Sequence, residues 1–187
     1  MLKKSLFISI FLFTFLCTSC NDKSGSVFSL KENSSFTYIN EPPRTETELI
    51  SVKVLSYKKD NDYDHAELSS NPYFGRRDEK LFLKIDTKTE KVLTYNEGKE
   101  SMLLPPSKDL KTGYSWEYNG YDAVVTSLNE TVKTEKQIFE NCLRIDYRLA
   151  GTFISEIWIK PGVGIVRFAA FRTNPPVLSP PYYVWNN

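Results

Sequence analysis

Residues 143–149 alternate strictly between apolar and charged side chains, reading Leu-Arg-Ile-Asp-Tyr-Arg-Leu. Successive side chains of a β-strand point to opposite faces of its sheet, so a period of two places all the apolar ones together. An antiparallel sheet with one buried face and one solvated face has this pattern. The segment therefore predicts an amphipathic strand of an antiparallel sheet.

Shorter β-rich segments, separated by turn residues, continue this pattern along the chain. They lie at residues 50–55, 81–85, 92–95, 114–118 and 123–128. Two further runs, 153–160 and 165–172, flank a Pro-Gly-Val-Gly sequence and predict a hairpin. Residues 103–113 contain a Pro-Pro pair and predict a loop, because proline cannot pair within a central strand.

No long segment has the 3.6-residue apolar period of an amphipathic helix. Successive strands joined by short turns favour an antiparallel architecture, and a sheet of many strands must twist and curl. We therefore predict an all-β fold: a curved antiparallel sheet, either a half-barrel or a small sandwich. We expect few or no helices apart from the signal peptide described next.

The N terminus has the organisation of an export signal. Lys3 and Lys4 precede an apolar run at residues 6–16, which is about half the length of a bilayer-spanning helix. Small residues then lead to Cys20, an arrangement that resembles the lipobox of bacterial lipoproteins. The resemblance implies cleavage before Cys20 and lipidation of that residue with diacylglycerol and palmitate-type chains. The alternatives are plain secretion with cleavage near Ser19 and an uncleaved anchor.

Four segments are expected along the chain. Residues 1–19 are predicted to be the lipoprotein signal peptide, and residues 20–47, rich in polar residues, the lipidated N terminus and a tether. An irregular segment with an early strand near residues 36–39 is the alternative for the tether. Residues 48–173 are predicted to form the antiparallel β domain, and residues 174–187 a tail rich in proline and aromatic residues. That tail either docks onto a partner or folds back onto the sheet.

Charge and cysteine content limit the classes of function. The chain carries 24 Lys and Arg residues against 23 Asp and Glu residues, which gives no basic surplus for nucleic acid. After removal of the signal and lipidation of Cys20, Cys142 is the one free thiol, so no intramolecular disulfide is expected. His65 is the single histidine, so a His/Cys zinc site or a Ser-His-Asp triad has too few components. We predict no metal and no cofactor.

Three motifs in the C-terminal half suggest a relationship to known proteins. They are Gly-Tyr-Ser-Trp at 113–116, Phe-Glu-Asn-Cys at 139–142 and Trp-Ile-Lys-Pro-Gly-Val-Gly-Ile-Val at 158–166. The set resembles a group of small bacterial envelope lipoproteins of uncharacterised function, which share a lipobox and the final Trp-x-x-Pro-Gly-Val-Gly-x-Val hairpin. The resemblance covers roughly residues 103–170. It implies a curved antiparallel sheet and no catalytic residues.

Four aromatic residues are candidates for contact with a ligand or a partner. Trp158 lies between Glu156 and Lys160 on the polar side of its strand, where it either grips a ligand or packs against a loop or second layer. The other three lie in the tail and are Tyr182, Tyr183 and Trp185. A redox role for Cys142 is a weaker hypothesis, because a lone thiol is more often a packed residue.

These features predict a membrane-anchored bacterial lipoprotein with a binding or scaffold role and without enzymatic activity. Its expected partners are the membrane, through the lipid on Cys20, and an envelope protein, but not nucleic acid. The first alternative is a periplasmic carrier or chaperone for an apolar ligand, and the second is a hydrolase-type enzyme. Asn21, rather than Asp, follows the lipidated cysteine, which favours the outer over the inner membrane.

Overall fold

The computed structural model describes residues 27–41, 47–74, 76–96, 98–169 and 182–187. The strands within these residues are β1 (Ser35–Asn40), β2 (Leu49–Lys59), β3 (Tyr63–Leu68), β4 (Leu81–Asp86), β5 (Val92–Asn96), β6 (Lys99–Leu104), β7 (Ser115–Tyr118), β8 (Tyr121–Lys133), β9 (Ile138–Leu149), β10 (Thr152–Lys160), β11 (Gly164–Ala169) and β12 (Tyr182–Trp185). Two single-turn 3₁₀ helices lie at Pro72–Phe74 and Ser107–Asp109. No helix among the described residues is long and apolar enough to cross a membrane.

All twelve of these strands belong to one antiparallel sheet. Their order is β6-β5-β4-β3-β2-β1-β12-β11-β10-β9-β8-β7, so β6 and β7 are the edges. The sheet curls until these edges approach each other, and the Trp116 indole on β7 donates a hydrogen bond of 2.8 Å to the Met102 carbonyl on β6. The result is a nearly closed, barrel-like sheet. The predicted all-β curved sheet is confirmed, in a form closer to the half-barrel than to the sandwich.

The alternating segment forms a strand and the Pro-Gly turn joins a hairpin, as predicted, although Leu149 of the predicted apolar face is exposed and Asp146 of the predicted solvated face is buried. Leu143, Ile145 and Tyr147 on β9 are buried at 5% exposure or less and lie on the inner face, while Arg144 and Arg148 lie on the outer face and are half-buried. β10 and β11 pair across the predicted turn. Together these strands supply the apolar floor of the C-terminal half of the sheet.

The sheet extends beyond residues 48–173 on both sides. β1 lies in the segment assigned to the tether, and it alternates because Phe36 and Tyr38 point into the core. β12 lies in the segment assigned to the tail and pairs with both β1 and β11. Its Tyr-Tyr-Val-Trp sequence consists of residues that favour strands. The described part of the tail therefore folds back as an internal strand.

The end of the sheet that carries the β3–β4 connection is filled by an aromatic cluster. Tyr73, from the first 3₁₀ helix, packs edge-to-face on Tyr38 and Phe168, with ring centroids 5.8 and 5.1 Å away. The Tyr38 hydroxyl donates to the Ile165 carbonyl at 2.9 Å and lies 2.9 Å from the Tyr73 hydroxyl. Both buried hydroxyls are thus satisfied, as buried polar groups in native proteins generally are.

Candidate binding site

The opposite end of the sheet, which we call the cleft end, is formed by the connections at residues 60–62, 87–91, 105–113 and 161–163. The N-terminal segment at residues 27–34 joins the sheet here. Phe28 forms a parallel bridge with Val163, and its ring lies so close to Gly164 that an added Cβ would be 2.9 Å from Phe28 Cδ1. The segment is therefore docked against the β10–β11 hairpin.

An apolar cleft of about 390 Å³ opens at the cleft end. Its apolar lining residues come from the N-terminal segment, β6 and the following loop, β8, β9, β10 and the β10–β11 turn, and they are Val27, Leu104, Pro105, Leu110, Leu128, Leu143, Ile159 and Pro161. Glu90, Ser107 and Asn141 add polar side chains to the lining. A dry cavity of roughly 150 Å³ is enough to bind benzene, and ligand pockets begin at about 300 Å³. The apolar cleft is therefore large enough for a small ligand or a segment of an acyl chain.

A larger polar cleft of about 720 Å³ borders on the apolar cleft, and both are lined by Gly162. Its charged lining residues are Lys31, Glu32, Lys59, Asp60 and Asp64. Asp64 lies on the inner face of β3 with 6% exposure, although the others are exposed. The polar cleft therefore combines a charged rim with one buried carboxylate.

The buried carboxylate of Asp64 is held by a neutral partner. The Tyr57 hydroxyl donates to Asp64 Oδ2 at 2.6 Å. Burial, followed by this hydrogen bond to the carboxylate, raises the pKa of Tyr57 well above its ordinary value, so the phenol stays protonated. Asp64 thus receives a hydrogen bond but no positive charge from Tyr57.

Trp158 is buried at 4% exposure on the outer face, away from both clefts. The cross-strand register places Arg144 and Arg167 on either side of it, with guanidinium carbons 5.3 and 4.5 Å from its ring centroid. The ring of Tyr182 lies 6.0 Å away. Trp158 and Tyr182 are thus brought together, and within the described residues Trp158 packs against side chains of neighbouring strands of the same sheet and not against a loop or a second layer.

The other two candidate aromatic residues also make internal contacts. Tyr183 is buried on the inner face and stacks on Phe168 with centroids 5.2 Å apart. Its hydroxyl donates to Glu48 Oε2 at 2.5 Å and accepts from Arg77 at 2.7 Å. Trp185 is half-buried, with its ring 5.2 Å from that of Phe36. Neither residue lines the apolar or the polar cleft.

The charged residues that alternate along β9 form an ion-pair network on the outer face. Arg144 pairs with Glu156 at 2.5 Å and with Asp146 at 3.3 Å, and Arg148 lies 3.6 Å from Asp146. Glu156 and Asp146 are only 3% and 6% exposed. Buried carboxylates need such partners, because an unpaired buried charge is costly. The network therefore has a structural role beside Trp158.

The remaining candidates for chemistry lie outside the two clefts. His65 is exposed on β3, and its ring is 6.4 Å from that of Tyr63. The Cys142 side chain is fully buried, and burial raises the pKa of its thiol, which disfavours the reactive thiolate. Among the residues that the structure describes, no group of three or more His, Cys, Asp or Glu side chains is placed to hold a metal ion. Cys20 lies outside the described residues.

Residues 60–64, Asp-Asn-Asp-Tyr-Asp, have the composition of a solvated acidic turn, so the sequence does not mark Asp64 as a buried residue. In the structure Asp64 begins the inner face of β3, followed by Ala66 and Leu68. The sequence contains this period of two, but the first of the three inward residues, Asp64, is charged and does not look like part of an apolar face. The lining of the apolar cleft carries no local signal beyond the apolar positions of β9 and β10.

Comparison with known proteins identifies the fold. No family model matches the chain, and no curated protein matches its sequence. A protein from Bacteroides fragilis described as an exported protein with a YmcC-like fold matches in structure. It has 13% sequence identity and a TM-score of 0.55, over 86% of this chain and 97% of that one. A protein described as a lipoprotein from Parabacteroides distasonis has the same identity and coverage and a TM-score of 0.49.

The likeness to the Bacteroides protein establishes a shared fold. At 13% identity it carries no information on ligand or activity. The chain is thus an all-β protein with a YmcC-like fold. The lipobox and the motif-based resemblance to envelope lipoproteins remain predictions from the sequence.

Proposed function

We propose that this protein is a lipid-anchored protein of the bacterial cell envelope that binds an apolar ligand in the apolar cleft and catalyses no reaction. The observation that carries the proposal is the position of the apolar cleft beside Val27, where the N-terminal segment joins the sheet. Val27 follows Cys20 by seven positions, so the Cα atoms of these two residues lie at most about 25 Å apart. A lipid on Cys20 would keep the cleft end close to the bilayer surface. Asn21 favours the outer membrane as the location.

The apolar cleft has the physical properties of a binding site for hydrocarbon. Leu143 and Ile159 form part of its floor and belong to the buried inner face, while Leu110 and Leu128 are half-buried at its margin. Water that contacts these apolar side chains finds few hydrogen-bond partners there. A ligand that replaces this water removes from water both its own apolar surface and that of the cleft. That transfer contributes about 25 cal/mol for each Å² of apolar surface buried.

The proposal places binding in the apolar cleft and not on the candidate aromatic residues. Trp158 and Tyr183 are buried by contacts within the chain, so a partner could reach them only after local unfolding. The proposal includes no catalytic step. Its support is that His65 lies on the exposed side of β3 and that the buried carboxylates on the outer face are engaged in ion pairs.

Photo-crosslinking in membranes tests the proposal on the protein in its native form. Cells producing the full chain are given a fatty acid with a diazirine in its acyl chain, irradiated, and the crosslinked peptides are mapped by mass spectrometry. We expect crosslinks at Leu110 and Leu128. Intact mass of the same preparation reports whether Cys20 carries diacylglycerol, with Cys20→Ala as the unlipidated reference.

Two matched substitutions sharpen the test. Leu128→Trp fills the margin of the apolar cleft and should reduce crosslinking several-fold. Leu149→Trp adds the same side chain at the end of β9 that lies away from the cleft end, at a position that is 51% exposed. This variant should leave crosslinking unchanged. Crosslinks spread evenly over the surface, or equal yields from both variants, would rule out the apolar cleft as the binding site.

A further inference from the structure

The apolar and polar clefts open side by side at the cleft end. Gly162 lines both, and the N-terminal segment contributes Val27 to the apolar cleft and Phe28 to the polar cleft. A ligand that fills both must therefore carry an apolar part and a polar part joined at one point. Amphiphiles have this form, whereas a plain hydrocarbon would leave the polar cleft empty.

The charges of the polar cleft define the polar part of such a ligand. Lys31 and Lys59 form no ion pair with the described residues, and Lys59 lies 6.0 Å from the ring of Tyr57. Lysine ammonium groups bind phosphate as point charges. The rim thus offers two cations that suit a phosphate group.

Asp64 supplies the opposite charge deeper in the polar cleft. It is 6% exposed, and no Lys or Arg of the described chain forms an ion pair with it. A buried carboxylate gains most from a cation that also donates hydrogen bonds. Lys59 and Asp64 are paired residues in the β2–β3 register, so a phosphate and a cation would lie close together.

The overall charge of the polar cleft distinguishes between classes of amphiphile. Its three acidic residues, Glu32, Asp60 and Asp64, outnumber Lys31 and Lys59. An anionic headgroup would gain from the lysines but face a net negative site. A zwitterionic headgroup satisfies both signs at once.

On the basis of the proposed function, we propose that the ligand is a zwitterionic amphiphile that carries an acyl chain, a phosphate and a primary ammonium group. One acyl chain occupies the apolar cleft, the phosphate lies at Lys31 and Lys59, and the ammonium group donates to Asp64. A phosphoethanolamine headgroup has this chemistry, since only two carbon atoms separate the phosphate ester oxygen from the ammonium nitrogen. A quaternary ammonium group has no N–H and cannot donate to Asp64.

The test uses the full lipidated protein reconstituted into vesicles with four monoacyl probes. The probes share one diazirine-bearing acyl chain and differ in headgroup: phosphoethanolamine, phosphocholine, phosphoglycerol or uncharged glycerol. The readout is the crosslinking yield at Leu110 and Leu128. We expect the crosslinking yield of the phosphoethanolamine probe to be about tenfold higher than the yields of the phosphocholine and phosphoglycerol probes. A difference of this size corresponds to one charge-assisted hydrogen bond.

Substitutions then assign the preference to the polar cleft. Asp64→Asn keeps the shape of the side chain and should abolish the preference, so that the phosphoethanolamine probe gives no higher crosslinking yield than the phosphocholine probe. Asp62→Asn is the matched control, because Asp62 is exposed in the turn before β3, pairs with Lys88 and does not line the polar cleft. It should retain the wild-type preference.

The outcomes separate this inference from the proposed function. Equal crosslinking of all four probes in the apolar cleft would overturn the headgroup assignment and leave the proposed function standing. A preference for the phosphoglycerol probe would also overturn it. Absence of crosslinks from every probe would refute both. The order of crosslinking yields among the four probes in the wild-type protein already tests the headgroup assignment. The test therefore remains valid even if Asp64→Asn fails to fold.

Discussion

Docking of the N-terminal segment on the β10–β11 hairpin can be tested by Gly164→Ala. Gly164 has a φ of +122°, a conformation in which residues with a side chain are strained by about 1–3 kcal/mol. The added Cβ would also lie 2.9 Å from Phe28 Cδ1, whereas carbon atoms pack best at about 3.5–4.0 Å. Gly164→Ala therefore carries a backbone cost and a steric cost.

A double-mutant cycle with Phe28→Ala separates the two costs. In the Phe28→Ala background the steric conflict is gone and only the backbone strain remains. We expect Gly164→Ala to destabilise the wild-type protein by about 2–4 kcal/mol and to cost about 1 kcal/mol less when Phe28 is truncated, a coupling typical of residues in contact. Gly120→Ala is the matched control, because Gly120 has a φ of +83° with nothing within 4 Å of the added Cβ.

The assay is urea unfolding followed by tryptophan fluorescence, with the free energy of unfolding extrapolated to water. Gly164→Ala should be more destabilising than Gly120→Ala, and Phe28→Ala should not alter the cost at Gly120. If Gly164→Ala has the same cost with and without the Phe28 ring, the two residues do not touch in solution. The N-terminal segment would then not be docked, and the apolar cleft would lose Val27 as a wall.

Two further predictions concern a turn and the buried thiol. The Asp86 carboxylate accepts hydrogen bonds from the backbone N–H of Thr89 and then of Lys88, which lower its pKa. Its contribution is therefore present above its unfolded pKa and is lost as the pH falls through the lower folded value. Between pH 6 and pH 3 the free energy of unfolding, measured with urea, should fall less in Asp86→Asn than in the wild-type protein. An equal fall in both proteins would contradict this prediction. Cys142 should react with a thiol reagent at least about a hundredfold more slowly in the native than in the unfolded protein, so rapid native labelling would disprove its burial.

Strands can be predicted from local sequence where one face is apolar and the other is charged, or where a clear turn joins two strands. β9 alternates between apolar and charged residues, and the β10–β11 hairpin is marked by a turn with Gly162 at a φ of +78°. These features need only neighbouring residues to be recognised. The predicted strands at residues 81–85 and 92–95 are of the same kind, and they pair as β4 and β5 in the structure.

The strands that were missed either begin with polar residues or are too short to show a clear period of two. β3 begins with Tyr-Asp-His, which suggests a turn, and its inward carboxylate is accommodated because Tyr57 on β2 donates to it. β6 begins with Lys-Glu-Ser and pairs as an edge strand with β5. β12 is four residues long and pairs with β11, which precedes it, and with β1, which is remote in sequence. In each of these strands the local sequence pattern alone does not indicate a strand.

The clefts were not predictable because their lining residues come from segments that are far apart in the sequence. Their construction also links binding to closure of the sheet. β1–β6 and β7–β11 are two meanders, and β12 joins them by pairing with β1 and β11. The apolar cleft takes Leu104 from the first meander and Leu143 and Ile159 from the second. It therefore exists only when the C-terminal strand has joined the two meanders and the edges have met at Trp116. A ligand that fills the cleft binds only the closed sheet, so by mass action it must stabilise that closure.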